Sequence, residues 1–203
     1  MLSFLTIIAV YYTKNQHGCI WLKIFHHNGY GGSMFRDFSH ALSSDEPNLY
    51  SILHKITDSY KINGKFEFLL EYPELSGYNR WKQSYHPINE NDDVRPVRGY
   101  EAISISWQTE YWGGLTKSSR IGNTLIDGSC GHSYWFYSIG AYQNNEWIIA
   151  KCPSTKNCIP GPSGSVREVI LWVRVTTTDI FEYTSSTKVS RKYSILWFCL
   201  FLL

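Results

Sequence analysis

The sequence predicts an α+β fold: a single domain dominated by antiparallel β-sheet, with one short helix near residues 47–59 and an all-β sandwich as the alternative. Three observations lead there. Four segments rich in β-branched and aromatic residues are separated by clusters of Gly, Asn, Pro and Ser. Leu49, Ile52, Leu53 and Ile56 recur at helical spacing. A chain of 203 residues, 43% hydrophobic and 16% aromatic, has enough apolar area for one core, and no internal repeat divides it.

The first strand is Ile20-Trp-Leu-Lys-Ile-Phe25, and the turn cluster Asn28 to Gly32 follows it. Ser44 or Asp45, ahead of Pro47, supplies the N-terminal cap of the expected helix, which should stop near Tyr60. Asn63-Gly64 then turns the chain into Lys65-Phe-Glu-Phe-Leu-Leu-Glu-Tyr72. Phe66, Phe68 and Leu70 fall on one face of that strand, Glu67 and Glu71 on the other, and Pro73 closes it. Further turn clusters stand at Gly77 to Asn79, Asn89 to Asp93 and Pro160 to Gly164. Ile103-Ser-Ile-Ser-Trp107 alternates, with its three apolar residues expected on one side. Val169 to Val175 is apolar on both faces for most of its length, as a central strand is.

The two ends frame this domain, read as residues 19–175. Residues 1–18 open with an apolar run of signal-peptide length, for which a buried first strand is the other reading. Residues 176–203 combine small residues, a basic spacer and the apolar tail Ile195 to Leu203, the ordered parts of a glycolipid-anchor signal or membrane anchor. Cys152 and Cys158 bracket a turn-rich segment, and a bridge between them suits an oxidising compartment. Cys19 and Cys130 are either a long-range bridge, contributing ~4–5 kcal/mol in the chain-entropy model, or buried thiols. The formal net charge is +2 and the longest basic run is Arg191-Lys192, so no nucleic-acid partner is expected.

Nothing in the sequence has the spacing of a catalytic, metal or cofactor site. The chain carries no HExxH, GxSxG or phosphate-cradling glycine loop, and the adjacent His26 and His27 point to opposite faces of a strand. Glu67 and Glu71 share a face but stand ~13 Å apart, beyond the ~5–9.5 Å of glycosidase pairs. The densest constellation is Tyr111-Trp-Gly-Gly114, Asp127-Gly-Ser129 and Tyr134-Trp-Phe-Tyr137. Rings beside glycines suit sugar stacking with close backbone approach, which makes Tyr111, Trp112, Asp127 and Trp135 the candidate ligand contacts. The same rings also serve as core packing, with Asp127-Gly-Ser129 as an ordinary turn.

Several blocks together resemble the fibrinogen C-terminal (fibrinogen-like lectin) domain family. They are Trp21 to Phe25, Leu49 to Ile56, Gly64 to Phe68, Asn79 to Ser84, Trp112 to Leu115, Leu125 to Ser129, Trp135 to Gly140 and Ile159 to Pro162, ahead of the last strand. The resemblance implies a secreted or cell-surface module for adhesion or glycan binding, non-catalytic, with a glycan or an extracellular protein as partner. A matrix or adhesion protein without a small-ligand pocket and a glycoside-processing enzyme are the alternatives. Asn91-Asp-Asp93 lies ahead of the Trp112 block rather than near the expected pocket, so neither the family's calcium site nor its acetyl-group pocket carries over.

Overall fold

The computed structural model describes residues 13–29, 35, 38–89, 96–106, 113–115, 149–150, 165–166 and 168–179. Among them the architecture is mainly antiparallel β-sheet with few, short helices. Thr13–Gln16 (β1), Cys19–Asn28 (β2), Ser44–Glu46 (β3), Leu49–Ser51 (β4), Phe66–Glu71 (β5), Tyr78–Gln83 (β6), Glu101–Ile105 (β7) and Glu168–Val175 (β10) form one sheet. Its order is β3-β4-β2-β10-β5-β6-β7, with β1 paired beside β4 along β2. Ile149–Ala150 (β8) and Ser165–Val166 (β9) form a separate pair. The β1 strand falls within residues 1–18, the segment for which a signal peptide and a first strand are the two readings.

The strand β10, expected to be central, lies between β2 and β5. Its core face carries Val169, Leu171, Val173 and Val175, level with Phe66, Phe68 and Leu70 of β5 and Trp81 of β6. A bulge in β2 leaves Ile24 without a partner on β10, so the adjacent Ile24 and Phe25 both reach the same core. Leu22, Phe35, Ala41, Leu49, Tyr50, Ile52, Leu53, Ile56, Tyr60, Tyr72 and Leu115 complete it. Two-residue turns with positive φ at both positions join β1 to β2 (His17, Gly18) and lead into β5 (Asn63, Gly64), as the Asn63-Gly64 pair predicts.

The expected helix over 47–59 does not form. Leu49–Ser51 is a strand, followed by single 3-10 turns at Leu53–Lys55 and Asp58–Tyr60, while Ser44 and Asp45 lie in β3. Two β-neighbours decide the outcome: β2 pairs one edge of Leu49–Ser51 and β3 the other. Ser51 then donates its hydroxyl to the Ala41 carbonyl at 2.6 Å, fixing the chain where a helix would continue. The short α-helix Phe38–Leu42 (α1) precedes β3.

Strand β7 also departs from expectation. It spans Glu101–Ile105, and a bulge leaves Ile103 unpaired with β6 and exposed, whereas Ile105 packs against the core. At the other end, the strand β10 gives way to a helical turn at 177–179. Thr176 caps it, its backbone N–H and hydroxyl both donating to Asp179 Oδ2 while its Oγ1 receives the Asp179 N–H.

Candidate functional site

Two places in the sheet bring chemistry-bearing residues together. The first lies at the end of β6. Gln83 is fully buried, and all four of its hydrogen-bonding positions are used. Its Oε1 accepts from Trp81 Nε1 at 2.9 Å and from the Leu115 N–H at 2.9 Å. Its Nε2 donates to the carbonyls of Tyr85 and Leu115, both at 2.8 Å. The segment Gly113 to Leu115 is thereby fastened to the sheet, and the Val97 N–H adds a bond to the Gly113 carbonyl.

The glycines are required by this fastening. A Cβ on Gly113 would sit 2.7 Å from Pro96 Cα, and one on Gly114 would sit 2.4 Å from Val97 Cγ2, with φ at +98 as well. The close backbone approach expected toward a ligand is, at these two glycines, an approach to the protein's own Pro96 and Val97. Tyr111, Trp112, Asp127 and Trp135 themselves lie outside the described residues, as do Cys130, Cys152 and Cys158.

The second place is the face of the sheet opposite the core. Strand register aligns a row of side chains across six strands. Glu101 (β7) faces Lys82 (β6), Lys82 faces Glu67 (β5), Arg174 (β10) bonds Glu67 and faces Trp21 (β2), and Trp21 faces Lys14 (β1). A second row holds Ser104, Arg80, Leu69, Trp172 and Lys23, and a third Tyr78, Glu71, Ile170, His26 and Tyr50. Trp21, Leu69, Trp172 and Cys19 form a small apolar cluster under these charges.

Glu67 is the anchor of this face. Its side chain is only 2% exposed, and both oxygens are held by guanidinium groups: Arg80 Nε on Oε1 at 2.7 Å and Arg174 Nη1 on Oε2 at 2.8 Å. The carboxylate bond holds the Arg174 guanidinium above its ordinary pKa. Arg80 also lies over the Trp21 ring, 5.4 Å from its centroid, and its Nη2 is 3.7 Å from Cys19 Sγ. Cys19 is a free, buried thiol. Glu71 Oε2 takes Lys14 and the Trp172 indole N–H, with Lys14 4.4 Å above the Trp172 centroid. Burial pushes the Lys14 ammonium down in pKa against the pull of Glu71.

No family model, curated protein or solved structure matches the chain.

The site therefore stands on its own geometry. As the strand period predicts, Glu67 and Glu71 share the face opposite Phe68 and Leu70. Their engaged oxygens suit structural ion pairing. Among the described residues no group of three His, Cys, Asp or Glu side chains could hold a metal ion. His26 and His27 do point to opposite faces: His27 is buried level with Val169, whereas His26 Nε2 meets Glu168 Oε1 at 2.7 Å on the charged face. The charged face was missed in the sequence because its rows join strands far apart in the chain. The one local sign was the Glu67/Glu71 alternation in β5.

Proposed function

We propose that the chain is a non-catalytic recognition module of α+β fold, secreted or on the cell surface, that binds glycan. The observation that carries the reading is the Gln83 anchor. It holds Gly113 to Leu115 rigidly on the sheet, and binding residues are characteristically borne on loops fixed to such a scaffold. Tyr111 and Trp112 immediately precede that anchored segment in sequence, and the aromatic ring beside a fixed glycine backbone is the chemistry of pyranose stacking. Asp127 and Trp135 are the further proposed contacts. The resemblance to fibrinogen-like lectin domains agrees with this reading. A glycoside-processing enzyme would need two carboxylates ~5–9.5 Å apart with oxygens available to substrate and water. Glu67, with a guanidinium on each oxygen, does not serve that chemistry.

The test is a glycan array probed with the wild-type chain and Trp112→Ala, alongside thermal melts of both. Array signal lost with a melting temperature within about 2 °C of wild type supports a ligand contact. A Trp112→Ala chain that melts far lower while the wild type binds no glycan would instead make Trp112 a core residue and overturn the reading.

A further inference from the structure

We propose that Arg98 sets the ligand class of the loop site: a glycan carrying a carboxylate, such as a sialic or uronic acid. The inference rests on the glycan-binding reading above and adds to it the charge of the sugar. It starts from a guanidinium without a carboxylate. Arg80 and Arg174 both bond Glu67, and Lys14, Lys61, Lys65 and Lys82 each meet a carboxylate of their own neighbourhood. Arg98 is exposed and meets no carboxylate among the described residues. Its guanidinium lies instead over the Tyr85 ring, 5.7 Å from the centroid.

The backbone beneath Arg98 is fixed. Val97 to Tyr100 form a turn closed by the Tyr100 N–H on the Val97 carbonyl at 3.0 Å, with Gly99 at φ +73 in the third position, as a type II turn requires. The Arg98 carbonyl accepts from the Ser84 N–H at 3.0 Å, the Ser84 hydroxyl at 2.9 Å and the Tyr85 N–H at 3.2 Å. Tyr85 is buried, and its own carbonyl is held by Gln83 Nε2, the atom that also holds Leu115. One amide therefore fixes both the segment that follows Trp112 and the ring on which Arg98 rests.

The two halves meet at one hydrogen bond, from the Val97 N–H to the Gly113 carbonyl at 2.8 Å. Arg98 follows Val97 in sequence and Trp112 precedes Gly113, so one Cα step of ~3.8 Å on either side of that bond separates their backbones. A short oligosaccharide stacked at Trp112 is within reach of the long Arg98 side chain. The residue type then selects the anion. A planar guanidinium matches a carboxylate through two parallel N–H···O bonds, and lying over a ring leaves its in-plane donors available. Attraction between the cation and the ring also holds the side chain before the ligand arrives, which lowers the entropy lost on binding.

The full chain and its Arg98→Gln and Arg98→Lys variants are to be probed on an array that sets each carboxylate-bearing glycan beside its carboxyl-reduced, neutral counterpart and a sulfated one. The wild type should bind the carboxylate member about tenfold more strongly than the reduced one. Arg98→Gln should lose that preference at a melting temperature within about 2 °C of wild type, because the side chain it removes is exposed. Arg98→Lys, which keeps the charge without the fork, should recover part of the preference. Wild-type binding that ignores the carboxylate, favours the sulfated member, or keeps its preference in Arg98→Gln overturns the role of Arg98 and leaves the glycan-binding reading standing. An array on which no glycan is bound overturns both.

Discussion

Glu67 shows what a single residue in this fold can and cannot disclose. Its place on the polar side of the 65–72 strand was legible from alternation with Phe66 and Phe68. Its burial was not, because Arg80 and Arg174 stand 13 and 107 residues away in sequence. A carboxylate 2% exposed between two guanidinium groups holds both cations in place, and removing its charge leaves them facing one another. Breaking a buried pair by deleting one partner costs ~3–5 kcal/mol, so Glu67→Gln should lose stability on that scale. Arg174→Gln removes a side chain that is one-third exposed and leaves Arg80 on Glu67, and its loss should be about 1 kcal/mol. Urea unfolding of the three chains checks the contrast. Equal, small losses would mean that Glu67 is solvated in solution. At the same scale, Gln83 was hidden by its type: a fully buried amide contradicts the usual preference for exposure, and only its four bonds explain it.

Elements were readable where the alternation belonged to the element alone. Strands β2, β5 and β10 follow from their own patterns, and β10 even declared its central position by being apolar on both faces. Where a neighbouring element decides, the local pattern misleads. Leu49, Ile52, Leu53 and Ile56 are all buried, as a helix would bury them, yet pairing to β2 and β3 draws the chain into β4. Strand β6 turns Asn79, Trp81 and Gln83 inward, so two of its three core positions are amides and its pattern reads as polar. Pairing between elements also carries a pH dependence. His26 on β2 meets Glu168 on β10, with Tyr50 of β4 as its cross-strand neighbour and Lys23 on its own strand. Burial pushes the imidazole pKa below its ordinary 6.5, and the Lys23 charge adds to this, while the Glu168 bond and charge pull the other way without cancelling it. The unfolded chain therefore binds the proton first as pH falls. Stability contributed by neutral His26 is complete above 6.5 and drains away below it. Melting temperature should drop between about pH 7 and pH 5, and His26→Gln should flatten that part of the profile. An unchanged slope in the variant would assign the dependence to other groups.

For the whole molecule, the strand patterns pointed correctly to a mainly antiparallel β-sheet, but strand order was beyond them, because β2 pairs with a strand some 140 residues away and the period of a strand fixes its faces and not its partners. The resulting sheet is apolar at depth on both sides. Leu69 and Leu70 are consecutive, point to opposite faces, and are both fully buried: Leu70 in the main core, Leu69 among Cys19, Trp21 and Trp172 beneath the ion pairs. A sheet with one solvated face would make the two positions very unequal. Here the arginine and lysine stems shelter the indoles, and each leucine leaves a comparable cavity when truncated. Leu69→Ala and Leu70→Ala should each cost ~2–5 kcal/mol, with similar dependence on urea. A Leu69→Ala loss of only ~0.5 kcal/mol beside a large Leu70→Ala loss would show that water reaches the charged face freely. Its ion clusters would then be screened surface pairs.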